Sequence, residues 1–445
     1  MTRTTEARYP LIHLVVTVVI MFLLIAIFRA RQYDDKSIDF QTLLRIGAWI
    51  VAAGYIVGFS GQSLWLLQRR SLLPWLLFHL YAVVHISVAS NWVYGLVGAI
   101  SFLIFYVYVG TILVRFGRGF FLDAFFVAMA IVAISSLIVY FAIPSFGRLG
   151  TWIGNVRLSS NRLSGITGAA NGMGYAAGIG AILLVMYWRE ITIASRNVKL
   201  VVLAFFIVDL LMTVNRMSIA GVGICLIAHY IFLRKNETTL GAIWFGTIAI
   251  LALALMFGSE LLPLLSRSGD VRELTTGTSR AGIWAAVIAL AWERPILGWG
   301  HSAAISIFPY QPGLFTEAAH AHNLYLDIWF SRGFVGLGLF VLALGVSFIH
   351  AIRHRRTRAM IVMFFFLFQG LMEAVPLYNV VWLGFLPFTF TILEMVGVTS
   401  YVIVPAPDRA RQSPGGGRPA GPRAEDAHQP ALLGPRIDRR PSPAA

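Results

Sequence analysis

The sequence predicts an all-α polytopic membrane bundle of about twelve helices, and three observations carry that prediction. Hydrophobic residues fill 58% of the 445 positions and charged ones only 12%, roughly half the charged share a soluble domain uses to cover its surface. Apolar runs of about 20 residues recur along the chain, the length that crosses a hydrocarbon core ~30 Å thick. The runs are continuous rather than alternating, which excludes barrel strands. Helices are then the structure that satisfies every backbone polar group inside lipid.

Taken in order, the spans read at 10–28, 42–59, 71–90, 92–114, 119–143, 165–188, 198–214, 216–233, 238–258, 325–352, 359–376 and 378–397. The first follows Arg3 and Arg8 and is followed by Arg29-Ala30-Arg31, with no small-residue cleavage site. It reads as a retained span and not as a signal peptide. With the N-terminus cytoplasmic, the inside connections hold Arg69, Arg70, Arg115, Arg118, Arg189, Arg196, Lys199, Arg234, Lys235 and the run Arg353, Arg355, Arg356, Arg358. That orientation places 22 of the 35 basic residues inside, as the positive-inside bias requires. Both termini are expected in the cytoplasm of a bacterial inner-membrane protein. Residues 1–404 form the membrane domain. From 405 to 445 the chain is rich in Pro, Gly, Ala and Arg; it cannot bury a core and is expected to be a disordered basic cytoplasmic tail. The net charge of +15 therefore points to anionic lipid headgroups and not to nucleic acid. Cys225 is the only cysteine, which excludes an intramolecular disulfide and a cysteine metal cluster.

Two connections are long, and both lie outside in this orientation. One is 144–164. The other, 259–322 between the ninth and tenth spans, is expected to carry function because long loops in compact bundles usually do. Thr278 or Ser279 can cap a helix over 280–294, stopped by Pro295. That segment holds Ile283, Trp284, Val287, Ile288, Leu290 and Trp292 but is too short to span. It is expected to lie on the membrane surface as a lid or platform.

Arginines on the outer side run against the positive-inside bias and so ask for a reason. They are Arg157, Arg162, Arg216, Arg280 and Arg332. An anion site is one reading, since guanidinium forks match phosphate oxygens at any pH; headgroup snorkelling or a structural ion pair is the other. Arg216 sits in a tight outer turn, with Asp209 two turns back on the same face and Glu373 approaching from the eleventh span. His320 and His322 end the long loop. An imidazole there can take a hydroxyl proton, or two histidines can ligate metal, although no third ligand follows at a zinc-family spacing. Asn323 can orient a substrate or cap the next helix. No phosphate-cradling glycine loop with lysine is present, which excludes a nucleotide hydrolase. No Asp-x-Asp pair stands in the outer loops to hold a divalent cation, so any pyrophosphate must be neutralised by arginines. The glycines between Gly165 and Gly180 are expected to allow close helix packing.

At these residues the chain resembles the O-antigen ligase and polymerase superfamily of bacterial surface-glycan assembly. The resemblance runs from Thr276-Gly277-Thr278-Ser279-Arg280 through Ile283-Trp284 and Arg294-Pro295-Ile296-Leu297-Gly298-Trp299-Gly300. It continues through His322-Asn323-Leu324-Tyr325-Leu326 and Gly333-Phe334-Val335-Gly336-Leu337, about eighty residues in all. Weaker echoes are Arg162-Leu163-Ser164-Gly165 with Asn171, and Asn215-Arg216-Met217-Ser218, where the family more often has serine before the arginine.

The resemblance implies transfer of a glycan from a polyprenyl pyrophosphate carrier to an acceptor hydroxyl at the periplasmic face, without metal or other cofactor. The product would be a lipopolysaccharide O-antigen or an exopolysaccharide. Arg216 and Arg280 would hold the pyrophosphate and His322 would be the general base. Arg162, His320 and Asn323 would contact substrate. Partners would be the lipid-linked glycan, its acceptor, membrane lipids and export proteins. The competing reading is a transporter or flippase of lipid-linked sugars; such proteins place ionisable groups at the midplane and show repeat symmetry, whereas here the charges cluster at the outer surface and no repeat is visible.

Overall fold

The computed structural model describes residues 9–27, 39–88, 91–153, 156–233, 280–311, 320–377, 381–382 and 384–398. The expected ninth span (238–258), the proposed caps Thr278 and Ser279 and the basic tail lie outside the described residues. Helices occupy the positions of the other eleven expected spans. They are α1 (Leu11–Ile25), α2 (Phe40–Gly58), α3 (Ser60–Leu67), α4 (Leu73–Val84) and α5 (Trp92–Ala142). After these come α6 (Ala170–Met186), α7 (Arg196–Met212), α8 (Arg216–Leu233), α9 (Arg280–Glu293), α10 (Leu324–Arg353), α11 (Thr357–Gln369) and α12 (Phe385–Met395). By length and composition, α2, α5 and α10 are the described helices able to cross a membrane alone; α1, α4, α6, α8, α11 and α12 are shorter apolar helices.

α5 joins the fourth and fifth expected spans in one run of 51 residues. A straight helix of that length would reach about 77 Å, far beyond one bilayer. Gly117 divides it, with φ 84° and ψ 172°, a conformation that a side chain would disfavour. α1, α2, α3 and α4 pack against α5, α10 packs on α4, and α6 packs between α7 and α8. The expected close packing of the glycine-rich segment is found on α6. A Cβ at Gly174 would lie 2.6 Å from the Asn215 side chain, and one at Gly180 2.9 Å from Phe206.

The all-α architecture carries one small addition. The connection 144–164 contains an antiparallel hairpin, β1 (Arg148–Ile153) with β2 (Val156–Leu163), in the register Arg148 opposite Leu163 and Ile153 opposite Val156. Its signal was present in the sequence: Gly154-Asn155 stands between the β-favouring runs Thr151-Trp152-Ile153 and Val156-Arg157-Leu158, a turn dipeptide between strand-formers.

α9 begins and ends within one residue of its expected bounds. It builds a satellite core of its own: Ile283, Val287, Leu290 and Ala291 pack with Ala303, Ala304, Phe308, Ala321 and Phe330. Trp284 Nε1 donates to the Ala321 carbonyl at 3.1 Å, and Trp299 Nε1 to that of Leu290 at 2.8 Å. The following Arg294–Gly300 segment locks onto a break in α10 at Gly333 (φ 61°). There Trp299 N–H donates to Phe330 O, and Gly300 N–H to Ser331 O, both at 2.9 Å.

Candidate functional site

The start of α10 sets the site. The Asn323 side chain accepts from the N–H groups of Tyr325 and Leu326, and its Nδ2 donates to Leu371 O at 3.1 Å. Of the two roles open to Asn323, capping is the one its side chain fills here. Leu324 N–H donates to Gly370 O at 2.7 Å, and Ala321 N–H to the buried Asp327 Oδ1 at 3.1 Å. The 320–323 segment is thus pinned to the ends of two helices. His322 within it has φ 49°, in a region non-glycine residues rarely enter. Such strain persists where surrounding bonds over-determine it, and it concentrates at functional positions.

His322 Nδ1 lies 3.2 Å from Glu373 Oε2, on the segment that follows α11. The other carboxylate oxygen, Oε1, accepts from Arg280 Nη2 at 2.7 Å and from Asn171 Nδ2 at 2.7 Å. Asn171 Oδ1 accepts in turn from Arg162 Nη2 at 2.9 Å. Arg162 Nε donates to Thr213 O at 2.8 Å, and Asn215 Nδ2 to Asn171 O at 3.0 Å. One continuous network therefore gathers the end of β2, the first turn of α6, the turn before α8, the first residue of α9, the loop before α10 and the segment after α11. Sequence separations between bonded partners reach 202 residues.

Of the residues singled out in the sequence, Arg162, Arg280 and His322 join this network directly. His320 joins through the backbone, its Nδ1 accepting from His322 N–H at 3.0 Å, with the two rings 4.0 Å apart. Burial, with His322 and Arg280 adding to it against Glu373, pushes the His320 imidazole down to about 3. It is a neutral acceptor at working pH. Arg216 is half-buried and opens α8 directly after Asn215, so it stands beside the network at a helix N-terminus. The expected grouping of Arg216 with two acids is replaced by a different one. Glu373 pairs with Arg280, and the buried Asp209 carboxylate has no hydrogen-bond partner among the described residues. The hub Asn171 entered the sequence reading only as an echo. A lone asparagine at the head of a glycine-rich helix has no spacing that announces its partners.

The electrostatic balance follows from these contacts. Glu373 is the carboxylate shared by Arg280 and His322, and Arg162 adds a second guanidinium 7% exposed. Arg280 and Glu373 are mostly shielded, with side chains 16% and 12% exposed, whereas His322 is 29% exposed. Two guanidiniums against one carboxylate leave the cluster with an excess of positive charge, and an imidazole stands at its accessible edge. Since a carboxylate only accepts, His322 Nδ1 carries the proton of that bond. Nε2 is left with the lone pair of a base.

His320, His322 and Glu373 also bring potential ligand atoms within 4.8 Å of one another, so the third ligand missing from the sequence spacing is supplied by the fold. Both Glu373 oxygens and His320 Nδ1 accept hydrogen bonds, and a guanidinium sits 2.7 Å from the carboxylate, where it would repel a cation.

Fold and site together define a polytopic helical membrane protein with a bonded arginine–histidine–carboxylate cluster at one end. Residues 200–341 match the family model described as O-antigen ligase. The match supports the O-antigen ligase and polymerase superfamily for this chain, and with it glycan transfer of that general type and a bacterial inner-membrane setting. The matched segment includes Arg216, Arg280, His320, His322 and Asn323, while Arg162, Asn171 and Glu373 lie outside it. No curated protein matches the chain.

Proposed function

We propose that this protein transfers a glycan from a polyprenyl (undecaprenyl) pyrophosphate carrier to an acceptor hydroxyl at the periplasmic face, as a polymerase or ligase and without a metal. The observation that carries the proposal is the Glu373 carboxylate held between Arg280 at 2.7 Å and His322 at 3.2 Å. A carboxylate that fixes an imidazole by its Nδ1–H orients Nε2 toward an incoming hydroxyl and stabilises the imidazolium formed when the proton is taken. The same carboxylate holds the Arg280 guanidinium in place. Arg280 and Arg216 would then meet the charge that grows on the departing pyrophosphate, with Arg162 supporting the site through Asn171 and Thr213. Attack of the hydroxyl on the anomeric carbon breaks its bond to the pyrophosphate oxygen and inverts its configuration. His322 keeps the proton, and the lipid pyrophosphate leaves with the bonding pair.

The test is complementation of a strain lacking the protein, with the lipid-linked glycan pool as readout. His322→Ala and Arg280→Ala should each leave glycan stranded on the carrier, single repeat units for a polymerase and long chains for a ligase. Wild-type pools with both variants would overturn the assignment. Retention of those glycans on the cytoplasmic face would favour the transporter reading.

A further inference from the structure

A second cluster of charge lies at the opposite ends of α10 and α11 from Glu373. Arg118, beyond the Gly117 break, bonds Glu190 at 2.7 Å and Glu394 at 3.1 Å. Arg358 bonds Glu190 at 2.6 Å, and Arg356 lies 3.6 Å from Glu394. All of these but Glu190 border a cavity of about 350 Å³ lined by Arg118, His354, Arg355, Arg356, Arg358 and Glu394, with Phe232 and Ile361 forming an apolar part of the wall. Four guanidiniums face two carboxylates, an excess of two positive charges. A positive-inside bias asks only for basic residues in water; it does not ask that they converge on one cavity.

Two further features aim at an anion. Arg355 occupies the turn between α10 and α11 at φ 53°, and Arg356 N–H closes that turn onto Ala351 O at 2.8 Å. Glycine is the usual occupant of such a helix-terminating position. An arginine there accepts backbone strain and sets a guanidinium at the cavity mouth, with no acidic partner among the described residues. In addition, α11 starts with no side-chain cap, and its first residues Thr357 and Ala359 line the cavity. First-turn N–H groups and the positive end of the helix therefore border the same space.

We infer that this cavity, held between Arg118, Arg355, Arg356 and the N-terminus of α11, is a binding site for a phosphate group, remote from the transfer site. The apolar wall beside the guanidiniums suits the phosphodiester of an anionic phospholipid, and the expected orientation would set it on the inner-leaflet side; a free phosphate shares the chemistry. The experiment uses the full chain in zwitterionic detergent, with thermal unfolding and native mass spectrometry as readouts. The probes are phosphatidylglycerol, phosphatidylcholine and inorganic phosphate. Phosphatidylglycerol should bind and raise the melting temperature, and Arg355→Gln should weaken it about tenfold, as loss of one charge-assisted contact does. Arg355→Glu should abolish it. Neither variant breaks an ion pair of the cluster, so their unliganded melting temperatures should match the wild type. Stabilisation by inorganic phosphate that also depends on Arg355 assigns the site to a soluble source, and stabilisation by phosphatidylglycerol alone assigns it to the lipid. Equal binding of phosphatidylcholine, or phosphatidylglycerol binding untouched in Arg355→Glu, overturns the inference.

Discussion

At the scale of single residues, the proposed chemistry turns on Glu373, which makes two separate demands compatible. It orients an imidazole and restrains a guanidinium, and both tasks need its charge. Glu373→Gln keeps the shape but forfeits two charge-assisted bonds, each worth about 1.5–3 kcal/mol. Transfer measured with lipid-linked donor in membranes should fall at least about tenfold, and Glu373→Asp should recover part of it. Wild-type transfer by Glu373→Gln would remove the carboxylate from the mechanism. His320 gives a pH dependence with a definite sign. Its value is about 3 in place against 6.5 when free. Between these two values an opened 320–323 loop binds a proton that the closed loop cannot, so closure gains stability as pH rises toward 6.5 and loses it on acidification. Amide exchange of residues 320–323, corrected for intrinsic rates, should show more opening at pH 5 than at pH 7. His320→Gln should flatten the difference.

At the scale of elements, the loop Arg294–Gly300 and the break in α10 act as one unit, because two backbones meet with no room between them. A Cβ at Gly333 would lie 2.1 Å from the Ile296 carbonyl oxygen, and one at Gly298 2.5 Å from Gly333 N. Gly333→Ala combines that clash with φ 61° and should cost more than about 2 kcal/mol, seen as a lower melting temperature in detergent. Gly338→Ala is the control on the same helix, since a Cβ there meets nothing within 4 Å. Since Gly→Ala inside a helix favours helix formation, a loss equal in both variants would mean that this contact is not what is at stake. The hairpin is the other element with a structural task. The end of its second strand delivers Arg162 to Thr213 and Asn171, joining this connection to the turn before α8.

At the scale of the whole molecule, the connections separate into two sets. Arg162, Asn171, Asn215, Arg280, His322 and Glu373 bond one another, while Arg118, Glu190, Arg356, Arg358 and Glu394 bond one another at the other ends of α10 and α11. Basic residues dominate the second set, which supports placing it in the cytoplasm. Labelling tests this directly because the native Cys225 is buried and should stay silent. In intact cells of an inner-membrane-accessible preparation, Tyr310→Cys, at a site 81% exposed, should react with an impermeant maleimide. Gln68→Cys, exposed near Arg69, should react only after the membrane is permeabilised. The reverse pattern would invert the topology and move the transfer site to the cytoplasm.

Composition and run length alone determined that this is a helical membrane protein, because burial in lipid leaves a chain of such apolarity few other ways to satisfy its backbone. The placement of α9 was equally legible, since Pro295 stops a helix by local geometry wherever the rest of the chain goes. His322, Arg280 and Arg162 could be named from residue type and position. The hairpin is poorly legible although Gly154-Asn155 stands between two β-favouring runs, because strand pairing at the end of a helical bundle breaks the pattern set by every neighbouring segment. What only the tertiary structure decided is who bonds to whom. Glu373 could have served Arg216, and it serves Arg280 and His322 because α10 and α11 are tied at Leu324 and Gly370. Asn171 became the hub because glycines let α6 approach the turn at Asn215. Contacts across 51 to 202 residues depend on how helices pack, and helix packing is set by shape complementarity along whole faces, which no local pattern of residues encodes.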